Sequence, residues 1–252
     1  MQVNLNADMG ESYGRYKLGD DDALIPYVKS VNIACGYHAA DPGTMLAAVA
    51  LAQRHGCEVG AHISYPDFMG FGRRRMELSE QEVYEISVYQ IGALLGFCKT
   101  RGLRLNHVKP HGQLFLTAVR DPTTARGIVR AVKDVDEELL LILSGAVVQE
   151  ACNQHGIRLV KEAFVDLDYN SDGSLILDRV RGPRDPQKVA ANALSLVRDG
   201  GRRAIDGSWL PIAADSICLH GDMENAVELA RAVNEALAQA GCEVAALRPN
   251  KR

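Results

Sequence analysis

Short apolar runs alternate with longer amphipathic segments along almost the whole of this 252-residue chain. The runs have the length of buried strands, and the segments between them carry the periodicity of helices. The seven predicted strands cover residues 2–7, 30–35, 57–62, 104–109, 139–143, 158–164 and 216–220. Strands that alternate with helices build a parallel sheet. We therefore predict an α/β fold with a closed or nearly closed seven-stranded parallel (β/α) barrel, and an open doubly wound sheet is the alternative.

Helix start signals recur along the chain and leave no gap that resembles a linker. Asp41, Asp121 and Asp185 are each followed by proline, which suits the first helical position, and Asp can cap the free backbone N–H groups there. Ser79 stands three residues before Glu82, which is the spacing of a capping box. These signals predict a single domain over residues 1–247, with a loose basic tail at 248–252.

The composition places this chain among ordinary globular proteins, with 47% apolar and 24% charged residues. A net charge of -4 gives no sign of a nucleic-acid partner, and no apolar run approaches the length of a membrane span. We expect no secretion signal, because the first residues do not combine a basic region with a following apolar one. The six cysteines form no CxxC pair, and most lie inside apolar runs. They predict buried, reduced thiols in a cytoplasmic protein.

Reactive side chains follow six of the seven predicted strands. Ligands of parallel α/β folds bind at the carboxyl ends of the strands, so these side chains are expected to share one pocket. In chain order they are Asp8, Glu11, His38, His62, Lys109, His111, Glu162, Asp166, His220 and Asp222.

The seven histidines divide into two groups. His55 and His155 each precede a glycine at a predicted helix end. A histidine at that position interacts favourably with the helix dipole, so it needs no catalytic explanation. The other five lie in or just after strands. A structural role is an even alternative for His107, which strand alternation can turn away from the site. For the group as a whole, convergence on one end of the barrel favours function.

Lys109 closes an apolar strand, where a lysine is costly to bury unless it is paired. One interpretation is a fixed positive charge for a carboxylate, a phosphate or a developing oxyanion. The other is a structural ion pair with Asp8, Glu11 or Glu162, and the two interpretations are compatible.

Residues 70–75 combine two glycines with three arginines. Such a loop can close over an anion, and it is equally typical of a solvated charged segment. It matches neither a phosphate-binding Walker loop nor a dinucleotide fingerprint.

A metal site is a further candidate, formed by Asp8, His38 and His62 from three different strands. Two histidines and one carboxylate are a familiar ligand set. No HxxxH or HExxH spacing supports it locally, so the sequence does not favour a tightly bound zinc.

Five motifs together resemble the LamB/YcsF family, over residues 2 to about 245. They are the segments 4–11, 32–39, 70–74, 107–112 and 220–222, which read NLNADMGE, NIACGYHA, GFGRR, HVKPHG and HGD. The resemblance implies a seven-stranded (β/α) barrel of the glycoside hydrolase/deacetylase type. It also implies the A component of a prokaryotic 5-oxoprolinase, which opens the ring of 5-oxoproline to L-glutamate with ATP and magnesium, together with separate B and C components.

Candidate roles follow from combining the resemblance with the residues at the strand ends. Asp8 or Glu11 is the expected general base, and His38, His62, His111 or His220 would carry protons to the ring nitrogen. Lys109 would steady phosphate or oxyanion charge. The candidates for contact with substrate or phosphate are Asn6, Arg73, Arg74 and Asp222.

The chain departs from the family pattern near two strand ends. Ile63 and Ser64 replace a Pro-Gly pair, Leu167 stands where an arginine is usual, and the loop 175–185 is shorter. These positions concern the substrate pocket more than the fold. Two other functions stay open: a metal-dependent amide or sugar deacetylase, and a substrate-binding component that is inactive alone.

Overall fold

Seven parallel strands close into a barrel in the computed structural model, which describes residues 1–176 and 182–247. They are β1 (Gln2–Met9), β2 (Ser30–Ala34), β3 (Glu58–Ile63), β4 (Leu105–Pro110), β5 (Leu140–Leu143), β6 (Leu159–Phe164) and β7 (Ser216–His220). Each strand pairs with the next, and β1 also pairs with β7, where Asp8 lies opposite His220. The predicted barrel is therefore confirmed, and the open doubly wound sheet was the wrong alternative.

Helices connect the strands around the outside of the barrel. They are α1 (Asp21–Leu24), α2 (Pro42–His55), α3 (Glu80–Thr100), α4 (Gly112–Ala118), α5 (Pro122–Val135), α6 (Ala146–His155), α7 (Pro186–Asp199) and α8 (Ala226–Gln239). The carboxylates of Asp41, Asp121 and Asp185 cap α2, α5 and α7, and Ser79 and Glu82 form the capping box of α3. In the described ranges, no helix combines the length and apolarity needed to cross a membrane.

The barrel interior is apolar at its amino end and polar above it. Leu140, Ile142, Val160 and Leu247 form a small buried cluster at the starts of β5 and β6. Higher up, Asn6 lies among polar side chains from the facing strands, and Lys109 Nζ is 3.3 Å from its Oδ1. Strand alternation therefore directs polar side chains inward, and the apolar residues of β1 pack against the helices.

Two short antiparallel ribbons interrupt the regular alternation, and the sequence did not predict them. Asp168–Tyr169 pairs with Leu175–Ile176 after β6, and Gly201–Arg203 pairs with Trp209–Pro211 before β7. The first ribbon borders the open end of the barrel. The predicted basic tail at 248–252 and part of the shortened loop, residues 177–181, lie outside the described residues.

The six cysteines are all free and buried, as predicted. Five of them have exposures below 4%. Cys57 is buried as well. Burial raises the pKa of the Cys35 and Cys152 thiols, which keeps them in the unreactive thiol form.

Candidate active site

A buried ion pair between Asp8 and Lys109 lies at the centre of the site. Asp8 Oδ1 accepts hydrogen bonds from Lys109 Nζ at 2.7 Å and from Asn32 Nδ2 at 2.8 Å. Lys109 Nζ also lies 3.1 Å from Glu162 Oε1 and 2.9 Å from Cys218 Sγ. The predicted ion pair of Lys109 is thus present. The ammonium is therefore surrounded by acceptors from the protein.

The surroundings of the pair favour the charged form of both residues. Burial alone would raise the pKa of Asp8, but the charges of His62 and Lys109 outweigh it and hold that pKa well below its usual range. Burial likewise opposes the charge of Lys109, yet Asp8, Cys218 and Glu162 raise its pKa well above the ordinary value. The neighbouring positive charges therefore favour the carboxylate form of Asp8.

A second cluster, which we call the histidine cluster, consists of Glu11, His38, His62 and His111. His38 Nε2 lies 3.0 Å from Glu11 Oε1, and the His38 and His111 rings are stacked at 3.8 Å. His62 Nε2 lies 3.0 Å from His111 Nδ1 and 3.4 Å from Asp8 Oδ2. His62 thus joins the histidine cluster to the Asp8–Lys109 pair.

Backbone carbonyls fix the tautomers of two of these rings. His62 Nδ1 donates to the carbonyl oxygen of Lys109 at 3.0 Å, and His111 Nε2 donates to that of Phe71 at 2.8 Å. In the neutral rings the remaining nitrogens, His62 Nε2 and His111 Nδ1, are then both acceptors, and they face each other at 3.0 Å. A proton or another cation has to lie between them. The cluster is therefore built around a positive charge.

This geometry changes the expected metal set. The four potential donor atoms of the histidine cluster all lie within 4.8 Å of one another, and Glu11 takes the place that the sequence gave to Asp8. Asp8 instead groups with Cys218 and His220. Carbonyl-anchored histidines with bare nitrogens turned inward are the usual environment of a divalent cation, so the histidine cluster fits a metal ion.

Asp8 and Glu11 have opposite electrostatic environments. Burial raises the pKa of Glu11 well above its usual value, and repulsion from Asp222 and Asp8 raises it further. Burial lowers the pKa of His38 and His111, so these rings resist protonation. Two neighbouring carboxyl groups with pKa values driven apart are suited to act as one base and one acid.

His220 is held by a partner to which the sequence gave no role. Asp166 accepts from the backbone N–H of His220 at 2.8 Å and lies 3.0 Å from its Nδ1. His220 Nε2 is left facing Asp8 Oδ2 at 4.0 Å. Asp166 thus orients the ring toward Asp8. The sequence signal for Asp166 was its position just after β6. That position alone does not show that its carboxylate bonds to His220.

The two arginines proposed as ligand contacts have different positions. Arg73 Nη2 lies 2.5 Å from Asp222, and its buried Nε has no partner among the described residues. Arg74 bonds to Asp67 through Nε at 2.6 Å, and 61% of its side chain is exposed. Arg73 therefore lines the inner cavity, whereas Arg74 braces its own loop.

Three other candidates lie beneath or behind the pocket. Asn6 Nδ2 bonds to Glu162 at 3.0 Å and to Ser216 at 2.7 Å, so Asn6 supports the charged groups from below. Asp222 forms an ion pair with Arg73. Strand alternation allowed His107 to turn away from the site, but in the structure its ring lies inside the barrel. Its Nε2 donates to Asn32 Oδ1 at 2.8 Å, in space that a side chain at Gly60 would fill.

Two adjoining cavities open at this end of the barrel. The inner one, about 30 Å³, has room for a single water and touches Asp8, His62, Lys109, His111 and His220. The outer one has a volume of about 730 Å³, enough for a small-molecule ligand. Both share walls formed by Phe115, Leu116, Phe164 and Leu175. Leu167, the departure from the family pattern, lines the inner cavity.

This protein is a seven-stranded (β/α) barrel. It carries a buried lysine–carboxylate pair and a histidine cluster at the ends of its strands. Residues 3–252 match the LamB/YcsF family, and the chain belongs to that family. It is 50% identical to the A component of 5-oxoprolinase from Thermus thermophilus, covering 98% of this chain and 100% of that one. The corresponding component from Pyrococcus furiosus is 44% identical, with 97% of each chain covered. The crystal structure of a lactam utilization protein from Thermus thermophilus superposes with a TM-score of 0.91, at 48% identity over 98% of this chain and 100% of that chain.

Proposed function

We propose that this chain opens the ring of 5-oxoproline to L-glutamate, as the A component of an ATP-dependent 5-oxoprolinase that also contains B and C components. The relatives named as 5-oxoprolinase A components support this proposal over the full chain. The structural observation behind it is the pair of carboxyl groups with opposite pKa shifts: Asp8, which lines the inner cavity, and Glu11, which lies in the adjoining histidine cluster. An assembly that consumes ATP is expected to work in the cytoplasm, where six free thiols stay reduced.

Opening a lactam requires a base for water and an acid for the ring nitrogen. Asp8 Oδ2 takes a proton from the attacking water, because Oδ1 is held by Lys109 and Asn32 and the carboxylate stays charged. Water adds to the lactam carbon, and the bond from that carbon to the ring nitrogen breaks. Glu11, whose pKa is raised by burial, is the source of the proton for the ring nitrogen, and His38, which lies 3.0 Å from Glu11 Oε1, relays it. Arg73, which lines the inner cavity, steadies the negative charge of the ligand.

Phosphoryl transfer from magnesium-bound ATP makes this ring opening favourable. The phosphoryl group on the lactam oxygen makes the ring carbon electrophilic, and ring opening by water leaves a side-chain carboxyl phosphate. A second water releases phosphate and the glutamate carboxylate. In this chain, phosphate charge would meet Arg73 at the cavity wall rather than Lys109, whose acceptors are already in place.

Reconstitution tests the proposal. Glutamate is measured after mixing 5-oxoproline, ATP and magnesium with this chain, and with candidate B and C components added or omitted. Glutamate that forms only in the complete mixture supports the proposal. If binding of 5-oxoproline to this chain is found without any turnover in the complete mixture, the chain is a substrate-binding component.

A second candidate is a metal-activated amide hydrolase, favoured by the two facing acceptor nitrogens of His62 and His111. Glu11, His38, His62 and His111 would hold the ion, which would polarise an amide carbonyl. Metal analysis of purified protein tests this candidate, with His111→Asn as the comparison. One equivalent of metal in the wild type, loss of it in the variant, and ATP-independent hydrolysis abolished by chelator would support it.

A further inference from the structure

Arg202 is a buried arginine in the ribbon strand Gly201–Arg203, and the proposed mechanism gives it no part. The residue is 2% exposed. Its Nη1 donates to the carbonyl oxygen of Phe164 at 2.7 Å and to that of Leu167 at 2.9 Å. Burial of a guanidinium costs free energy, and these two bonds offset part of that cost. A buried cation is thus directed at the backbone of one short segment, residues 164–167.

The two carbonyl groups lie on either side of Asp166. Phe164 is the last residue of β6, and Leu167 directly precedes the ribbon strand that begins at Asp168. Residues 165–167 belong to no helix or strand. Arg202 therefore fixes the backbone before and after Asp166, and with it the direction in which the carboxylate leaves the chain.

The same segment contacts His220 in two ways. Asp166 accepts from the backbone N–H of His220 at 2.8 Å and lies 3.0 Å from its Nδ1. The Phe164 ring stacks on the imidazole, with ring centroids 5.5 Å apart and an angle of 19° between the planes. His220 Nε2 faces Asp8 Oδ2 at 4.0 Å. A shift of the segment would therefore move the imidazole relative to Asp8.

We propose that Arg202 is a positioning residue, which sets the orientation of the His220 ring by holding Phe164 and Asp166 in place. The inference rests on the proposed function, because it matters for turnover only if His220 takes part in it. The contacts of Arg202 themselves can be tested without turnover. Its action is indirect, since its donors are directed at the backbone of this segment.

Proton NMR of the full-length chain tests the placement of His220 directly. A ring N–H that donates to a buried carboxylate is shielded from exchange and gives a downfield signal, which His220→Gln assigns by removing it. Arg202→Met should lose or shift this signal while the protein still unfolds cooperatively in urea. Arg202→Lys, which keeps the cation with a shorter reach, is measured in the same way if the methionine variant does not fold.

Kinetics of the reconstituted assembly then separates positioning from a merely structural role. Arg202→Met should lower kcat about 10-fold and leave KM within about twofold. In an Asp166→Asn background it should cause no further loss, because both changes act on the same ring. A merely structural role would leave the His220 signal in place and add its loss to that of Asp166→Asn.

Arg203→Met is the matched control. Arg203 is the next residue of the same ribbon, but it is exposed and donates to the carbonyl oxygen of Gly207 at 2.8 Å. This variant should keep both the His220 signal and the wild-type kcat.

Two results overturn the inference and leave the proposed function standing: a folded Arg202→Met chain with an unchanged His220 signal, and additive losses with Asp166→Asn. If the complete wild-type mixture forms no glutamate, the proposed function fails, and the NMR comparison still decides whether Arg202 places His220.

Discussion

The two oxygens of Asp8 have different neighbours: Oδ1 lies 2.7 Å from Lys109 Nζ, whereas Oδ2 faces His62 Nε2 at 3.4 Å. Lys109 therefore keeps the carboxylate ionised from one side, and the other side stays directed at the pocket. The arrangement explains how a carboxylate at 3% exposure keeps its charge. It also assigns the lysine a supporting role, because its N–H groups are already directed at protein acceptors.

Loss of the lysine charge should destabilise the barrel. Lys109→Met leaves Asp8 and Glu162 buried without their cation, which should lower the free energy of unfolding by about 3–5 kcal/mol. Urea unfolding measures this change. Lys161→Met, at the exposed neighbour of Glu162, is the matched control and should shift the free energy by no more than about 0.5 kcal/mol. A stable Lys109→Met protein would show that the carboxyl groups are not charged.

Asp166 should act through His220 alone. Asp166→Asn removes the acceptor that orients the ring, so we expect kcat to fall by about 10²-fold with little change in KM. His220→Ala should cause a similar loss, and the double variant should be no worse than either single one, because both changes disable the same unit. Additive losses in this cycle would mean that Asp166 has a separate role.

Arg73 and Arg74 provide a comparison within one loop. Arg73→Met removes a buried donor at the cavity wall and should weaken binding of 5-oxoproline about 10- to 100-fold. Arg74→Met should leave binding nearly unchanged, because its guanidinium is largely exposed and engaged with Asp67. Calorimetry with both variants checks this difference. Equal losses would restore the interpretation of the whole arginine run as one anion-binding loop.

Acid should destabilise the protein through His107. Burial, assisted by the charge of Lys109, lowers the pKa of His107 to about 3. The unfolded chain binds this proton near pH 6.5, so stability present above about pH 6.5 is lost as the pH falls toward 3. His107→Gln should flatten this part of the curve, although it loses the bond to Asn32. Urea unfolding at about pH 7.5, 6 and 5 measures the slope, and an unchanged slope would contradict the assignment.

The sequence predicted the barrel because two kinds of local signal agree along the whole chain. Alternating strands and helices give the class of fold, and the Asp-Pro starts at Asp41, Asp121 and Asp185 mark where helices begin. Closure follows from how many strands a sheet contains and how they twist, which the sequence shows only as seven repeated units. The two antiparallel ribbons were not predicted from the sequence, because strands of two or three residues are too short to show a periodicity.

The strand ends also predicted which residues meet, but not how they pair. Asp8, His62, Lys109 and His220 converge as expected because parallel strands end at the same edge of the barrel. Glu11 replaces Asp8 beside His38 because Gly10, with a φ of 68°, turns the chain there. The tautomers of His62 and His111 depend on distant carbonyl groups, and Arg74 depends on Asp67 from its own loop. Such partners are set by packing and cannot be seen in the spacing of residues.

The most direct test of the account is glutamate formation by the reconstituted assembly with wild-type chain or with Asp8→Asn. Asparagine at position 8 can still accept from Lys109 and Asn32, so the barrel should fold and bind 5-oxoproline. It cannot take a proton from water, so the rate should fall by about 10²-fold or more. A folded Asp8→Asn chain that forms glutamate at the wild-type rate would contradict the role of Asp8 as the base.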